Sequence, residues 1–173
     1  VLKINQNYIN SIVKQALKED LRPNGDITTK LITFKDKKTK SKIIAKQNGV
    51  ISGLDFCSAA FKLTGKETVF LKKVSDGSKV KKGKVVATII AKTKTILTAE
   101  RTALNFLSHA SGIATLTNEF VNKSNKKTKI CCTRKSYISI NNLDLVGEPL
   151  PRKEDGENIN WETQKEFSFT YDL

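Results

Sequence analysis

Residues 97–117 read LTAERTALNFLSHASGIATLT. At 100° per residue, Ala103, Phe106, Leu107, Ala110, Ile113 and Ala114 fall within about 60° of one axis, the stripe of a helix that packs one side into a core. The opposite side carries Arg101, Asn105, Ser108, Gly112 and Thr115. It is small and polar, with a single Arg in a chain that otherwise uses Lys. Thr98 reads as the N-cap, with Glu100 in the positive first turn. Gly112 is a point where the helix is expected to kink or split. Asn118–Asn125 continues the helical pattern, and Lys126-Lys127 ends it.

Working outward, Lys129–Thr133 reads as a short strand with Arg134-Lys135 at its carboxyl end. On the other side, 40–97 reads as a β-rich unit framed by helices. Its strands are Ser41–Gln47, Val69–Val74 and Val85–Ala91, with turns at Asn48-Gly49 and at residues 75–78. Lys35–Lys42 reads as a charged loop. Further upstream, Tyr8, Ile9, Ile12, Val13, Ala16 and Leu17 repeat at helical spacing over Asn5–Leu17. Residues 22–26 then form a turn. The fold class expected from these elements is mixed α/β.

The chain has 173 residues and a net charge of +14 from 31 Lys+Arg and 17 Asp+Glu. The charge is uneven. Residues 1–135 hold 28 basic and 9 acidic groups, whereas residues 136–173 hold 3 and 8. Trp161, Pro149 and Pro151 also lie in the last segment, so a boundary is expected near residue 135. Twenty-seven of the basic residues are Lys and aromatics make up 7%, without interleaving. That is the make-up of a solvated Lys surface; nucleic-acid readers use Arg forks and stacking rings. No stretch approaches the ~20 apolar residues of a membrane span, and Val1–Leu17 has no apolar signal core. Cys57, Cys131 and Cys132 form no CxxC pair, and with His109 as the single histidine there is no zinc constellation. A reducing cytoplasm is the expected location.

One histidine and no GxSxG exclude a Ser/His/Asp triad, and no P-loop or GxGxxG is present. His109, between Ser108 and Ala110 in a helix, reads as a structural histidine. Glu19-Asp20 and Asp26 could pair for acid–base work but read as a helix end and the turn after it. Arg134-Lys135, at a strand's carboxyl end, and Arg101, on the small-residue helix face, are the candidate site. Arg gives a planar fork for a carboxylate or phosphate and Lys a point charge beside it, so the ligand class is anionic.

These residues sit in a longer pattern. Glu19-Asp20-Leu21 is followed by Gly25-Asp26-Ile27-Thr28-Thr29, then Gly49-Val50-Ile51-Ser52-Gly53 and Asp76-Gly77-Ser78-Lys79-Val80-Lys81-Lys82-Gly83. The 97–117 run comes next, and Thr133-Arg134-Lys135 closes the series, with Ser136 where the pattern has Thr. Over about residues 1–136 the chain resembles quinolinate phosphoribosyltransferase, also called nicotinate-nucleotide pyrophosphorylase (carboxylating). The resemblance implies an N-terminal α/β sandwich domain over 1–115 and the start of an α/β barrel at 116–135, incomplete in this chain. Residues 136–173 are then a divergent acidic tail, frameshifted or fused.

The reaction implied is transfer of phosphoribosyl from phosphoribosyl pyrophosphate to quinolinate with decarboxylation, in NAD biosynthesis, with Mg²⁺ on the phosphates. The resemblance also implies that Arg134 and Lys135 contact the quinolinate carboxylates, and that Arg101 does so from the neighbouring subunit of a homodimer. The family's His-Arg pair, further Lys and acidic residues have no counterpart in 136–173, so this chain alone is expected to be inactive. No nucleic-acid or membrane partner is expected. The readings from other classes are a carrier module of the lipoyl/biotinyl type over Gly49–Ala91, and a basic nucleic-acid-binding domain.

Overall fold

The computed structural model describes residues 4–31, 36–124, 136–138, 145–147 and 169–172. Helix α1, Gln6–Leu21, starts at Asn5, whose Oδ1 accepts from the Asn7 N–H at 2.8 Å. It buries Ile9, Val13, Ala16 and Leu17 of the expected stripe, whereas Tyr8 is exposed and Ile12 only half-buried. A short helix α2, Ile27–Leu31, follows the turn.

Strand β1, Lys38–Ala45, pairs antiparallel with β5, Val85–Lys92, and β5 pairs with β3, Val69–Lys72. On the far side of β1 lies β8, Phe169–Asp172, also antiparallel, giving the sheet order β3-β5-β1-β8. β2 (Gly49–Val50) pairs with β4 (Lys79–Val80), and β6 (Ser136–Ile138) with β7 (Leu145–Gly147). The expected charged loop over 35–42 is strand from Lys38 onward. Lys38, Lys40 and Lys42 alternate with Thr39 and Ser41, so the charge lines the outer face of β1 and a loop is not needed to hold it.

Helix α3, Leu54–Thr64, interrupts the region read as β-rich. Leu54, Cys57 and Phe61, three and four residues apart, are wholly buried, and Ala60 with them. Helix α4, Thr93–Lys123, is longer than expected. β5 runs directly into it, so Thr98 is not its N-cap and Glu100 is not in its first turn. The Lys37 carbonyl accepts the Thr93 N–H, and Asp36 Oδ1 accepts the Lys94 N–H, both at 3.0 Å. The helix passes through Gly112 without a break.

Helices α1, α3 and α4 pack on the sheet's inner face. Ile43, Ala87, Ile89, Phe61, Ile96 and Leu107 form the centre of that core, each shielded from solvent. Each large side chain buried there adds about 1.5–3 kcal/mol. Gly53 permits the close approach of α3 to α4. Its φ is +94°, and a Cβ there would meet Ala110 Cβ and the Phe106 carbonyl oxygen at 3.1 Å. The result is the α/β sandwich that the sequence implied. Residues 129–135 and the pair Trp161 and Phe167 fall outside the described residues.

Candidate functional site

The expected stripe on α4 holds only in its first half. Ala103 and Leu107 are buried, but Ile113 is 53% exposed and Ser111 is buried in its place. The reason is β2. Ser111 Oγ accepts the Ser52 N–H at 3.0 Å and donates to the Ser52 carbonyl at 3.1 Å. Thr115 Oγ1 accepts the Val50 N–H at 2.9 Å. Two hydroxyls of the helix thus take the place of a neighbouring strand for residues 50–52. Thr115 therefore belongs to the inside of this chain and not to a face kept free for a partner.

Arg101 does lie on the open side of α4, with its side chain 70% exposed. Its Nε donates to Asp20, 2.8 Å from Oδ1 and 3.2 Å from Oδ2. Asp20 comes from the last turn of α1, and Thr102 Oγ1 also donates to its Oδ2, at 3.3 Å. Next to this pair stands Asp26. Its Oδ1 accepts the Thr29 N–H and its Oδ2 the Thr98 hydroxyl, both at 2.9 Å. Burial pushes the Asp26 pKa up. The hydrogen bonds from Thr29 and Thr98 and the Arg101 charge outweigh burial, so the carboxyl titrates below the ordinary Asp range.

Thr98, expected as a helix cap, is instead the link between α4 and the turn before α2. Asp20 and Asp26, read as a helix end and a turn, are the carboxylates that frame Arg101. The signal for them was the proximity of Glu19-Asp20 and Gly25-Asp26 to each other. Their partner Arg101 lies 81 residues beyond Asp20, beyond the reach of any local pattern.

Burial raises the Glu100 pKa. His109 is exposed on α4 without a hydrogen bond among the described residues, so it is not the tied-down histidine that the sequence suggested; partial desolvation lowers its pKa. Cys57 is buried and free, and burial followed by the Asp76 charge pushes its thiol far up, leaving it inert. Arg134 and Lys135 lie outside the described residues. The site around Arg101 is an open surface; a shallow groove over Lys40, Lys42, Leu71 and Ile90 lies elsewhere. Lys92 and Lys94, the lysines that follow the Gly49–Ala91 stretch, sit at the start of α4 and not on a hairpin tip.

Among known proteins, the model of the quinolinate phosphoribosyl transferase N-terminal domain matches residues 26–111. In this stretch the chain belongs to the quinolinate phosphoribosyltransferase family. It is 38% identical over 134 residues to a probable nicotinate-nucleotide pyrophosphorylase (carboxylating) of Methanocaldococcus jannaschii, covering 76% of this chain and 46% of the relative. It is 35% identical over 136 residues to the corresponding protein of Mycobacterium leprae, covering 76% and 47%. The fold is similar to that of NadC from Streptococcus pyogenes, with a TM-score of 0.75 at 32% identity over 81% of this chain and 50% of that one. The nicotinate-nucleotide pyrophosphorylase of Francisella tularensis gives 0.72 at 30%, over 84% and 54%. The chain thus spans about half the length of the curated relatives it matches.

For a quinolinate phosphoribosyltransferase domain, the motifs now have positions. Glu19-Asp20 and Gly25-Asp26 surround Arg101, and Asp76-Gly77-Ser78 joins β2 to α3. Among the described residues, no three His, Cys, Asp or Glu side chains converge to hold a metal ion. No helix among these residues is long and apolar enough to cross a membrane.

Proposed function

We propose that this chain forms the anion-recognising domain of a cytoplasmic quinolinate phosphoribosyltransferase. The reaction joins quinolinate to phosphoribosyl pyrophosphate and releases carbon dioxide and pyrophosphate, giving nicotinate mononucleotide. Quinolinate is a dianion and its co-substrate carries several more charges, so binding requires fixed cations in a site sheltered from water. As pyrophosphate leaves, the ribosyl centre becomes cationic and the pyridine nitrogen attacks it. Loss of the 2-carboxylate then leaves electrons on a ring whose positive nitrogen stabilises them. Positioning and electrostatics carry most of this chemistry.

The observation behind this reading is Arg101: exposed, hydrogen-bonded at Nε alone, with Asp20 as its one hydrogen-bond partner among the described residues. Its four remaining N–H donors are available to a carboxylate. In our reading it reaches the quinolinate of a second subunit in a homodimer, where Arg134 and Lys135 bind the same carboxylates. The domain boundaries we propose are 1–115, 116–135 and 136–173. In our reading the groups that hold the phosphoribosyl end lie outside the described residues, and turnover requires them.

Quinolinate-dependent release of carbon dioxide tests this. The chain by itself gives none, and the chain joined to a relative's second half turns over. Arg101→Ala in the joined protein lowers quinolinate affinity by roughly the 2–5 kcal/mol of a truncated charge pair. An Arg101→Ala protein with undiminished affinity would overturn the role given to this residue.

A further inference from the structure

We propose that Asp20 is a positioning residue, which holds Arg101 by Nε and thereby presents the two terminal amino groups of the guanidinium to a ligand carboxylate. The inference rests on the reading of Arg101 as a substrate-binding group and goes one step behind it. The geometry of the pair is asymmetric. The cation is exposed, at 70% of its side chain, while the carboxylate is only 22% exposed. Asp20 is itself anchored, by the Thr102 hydroxyl and by its place in the last turn of α1, whose Val13 and Leu17 are in the core. The acid is the fixed member and the arginine is held against it.

Energetics indicate what the contact is for. An exposed ion pair adds little to stability. A free Arg side chain, however, loses much of its rotamer freedom when a ligand fixes it. Asp20 imposes much of that order before the ligand arrives. Because the guanidinium is a rigid fork, engaging Nε leaves Nη1 and Nη2 open for a two-bond contact with a carboxylate. Asp26, on the same side and held by Thr29 and Thr98, adds negative potential that keeps the cation near α1. A lysine could not do both tasks. Its single ammonium group would be captured by Asp20.

The chain contains four arginines, Arg22, Arg101, Arg134 and Arg152, so its ¹⁵N spectrum has few side-chain Nε–H signals to assign. In the full chain, the signal that vanishes in Arg101→Ala is expected to exchange slowly with solvent. It becomes averaged in Asp20→Asn and recovers in part in Asp20→Glu. Asp55→Asn, which breaks the Lys72–Asp55 pair elsewhere on the surface, leaves it unchanged. Titrated with quinolinate as probe, Asp20→Asn binds about tenfold more weakly, with a thermal midpoint close to the parent's. Arg101→Lys weakens binding as much as Arg101→Ala although it keeps the charge.

A Nε–H signal that stays protected in Asp20→Asn overturns the proposal. So does a signal that averages while quinolinate affinity stays the same, since the contact would then be structural only. If quinolinate binds the parent and Arg101→Ala alike, the substrate role of Arg101 fails and the purpose assigned to Asp20 fails with it. The Nε–H signal measured without ligand distinguishes that case from a failure of the Asp20–Arg101 hold.

Discussion

The Asp76 carboxylate closes the N-terminus of α3 from the far side of a β-turn: Oδ2 accepts the Gly53 N–H at 2.9 Å and Oδ1 the Leu54 N–H at 3.2 Å. Gly53, the local N-cap, has no side chain to do this. The next two residues complete the clasp, since the Gly77 N–H donates to the Ile51 carbonyl and the Ser78 carbonyl accepts the Ile51 N–H. One acidic residue therefore fixes the turn, the start of α3 and the end of β2 together. Asp76→Ala removes a cap and leaves part-buried N–H groups without partners, a loss of about 1–3 kcal/mol. Urea unfolding of the two proteins measures it. A change under about 0.5 kcal/mol would mean that water replaces the carboxylate at no cost.

A second stability prediction concerns Ser41. It lies on the inner face of β1, paired in register with Ile89, fully buried, and its hydroxyl has no hydrogen-bond partner among the described residues. A buried hydroxyl without a partner costs about 1–3 kcal/mol. Ser41→Ala relieves this and leaves only a small void, so the variant should be more stable by about 1 kcal/mol. A destabilised Ser41→Ala would show that the hydroxyl is satisfied in solution.

These two sites also mark where the sequence is legible and where it is not. The apolar repeat of 99–107 announces α4 because a helix that packs on a core must place Ala103 and Leu107 on one side. Its true start at Thr93 carries no local sign. The N–H groups of its first turn are met by Lys37 and Asp36, more than 50 residues upstream. Helix α3 is hidden in the same way, because its cap comes from Asp76. Its own spacing of Leu54, Cys57 and Phe61 was the signal that a β-rich reading of 40–97 passed over. In β1 the run of lysines masks a period-2 strand. Arg101 stands out as an arginine among lysines, but no spacing rule ties it to Asp20 and Asp26, which come from another helix and another turn.

At the acid end, two of the described acids shift in opposite directions. The Asp26 pKa is lowered in the folded chain. Its contribution is complete above the ordinary Asp pKa of about 3.9 and is lost as pH falls through the lower, folded value. The Glu100 pKa is raised by burial, so its contribution is present below the ordinary Glu value of about 4.3 and is lost as pH rises through the folded one. Asp26→Asn should therefore flatten the acid limb of the stability curve. Glu100→Gln should cost nothing at neutral pH and flatten the slope just above the ordinary Glu value. Denaturant unfolding from acid to neutral pH checks both. An acid limb as steep in Asp26→Asn as in the parent would remove Asp26 from the account.

On the last turns of α4, Ile113, Leu116 and Phe120 are each about half exposed, at 53%, 54% and 52%. Their spacing puts them within about 60° of one another around the helix axis. Nothing described in this chain packs on them closely enough to bury them. Leu116→Asn should therefore change stability by no more than about 0.5 kcal/mol, as exposed substitutions do, while raising solubility. A loss of several times that would mean that another segment of the chain covers the stripe.

The final prediction separates a shared site from a private one. If Arg101 serves the partner's pocket, a two-fold dimer holds two sites, each built from Arg101 of one subunit and Arg134 of the other. In the protein completed with a relative's second half, Arg101→Ala and Arg134→Ala subunits are each inactive as homodimers. In a mixed dimer one pocket receives neither arginine, and the other receives both. Random mixing in equal amounts gives half the dimers as heterodimers, so about a quarter of the parent's sites should return. Heterodimers are counted separately, by tagging one variant and capturing it together with the other. Heterodimers that form but stay inactive would place Arg101 in the pocket of its own subunit. The Asp20 contact would then orient it inward, along α1, and not across the two-fold axis.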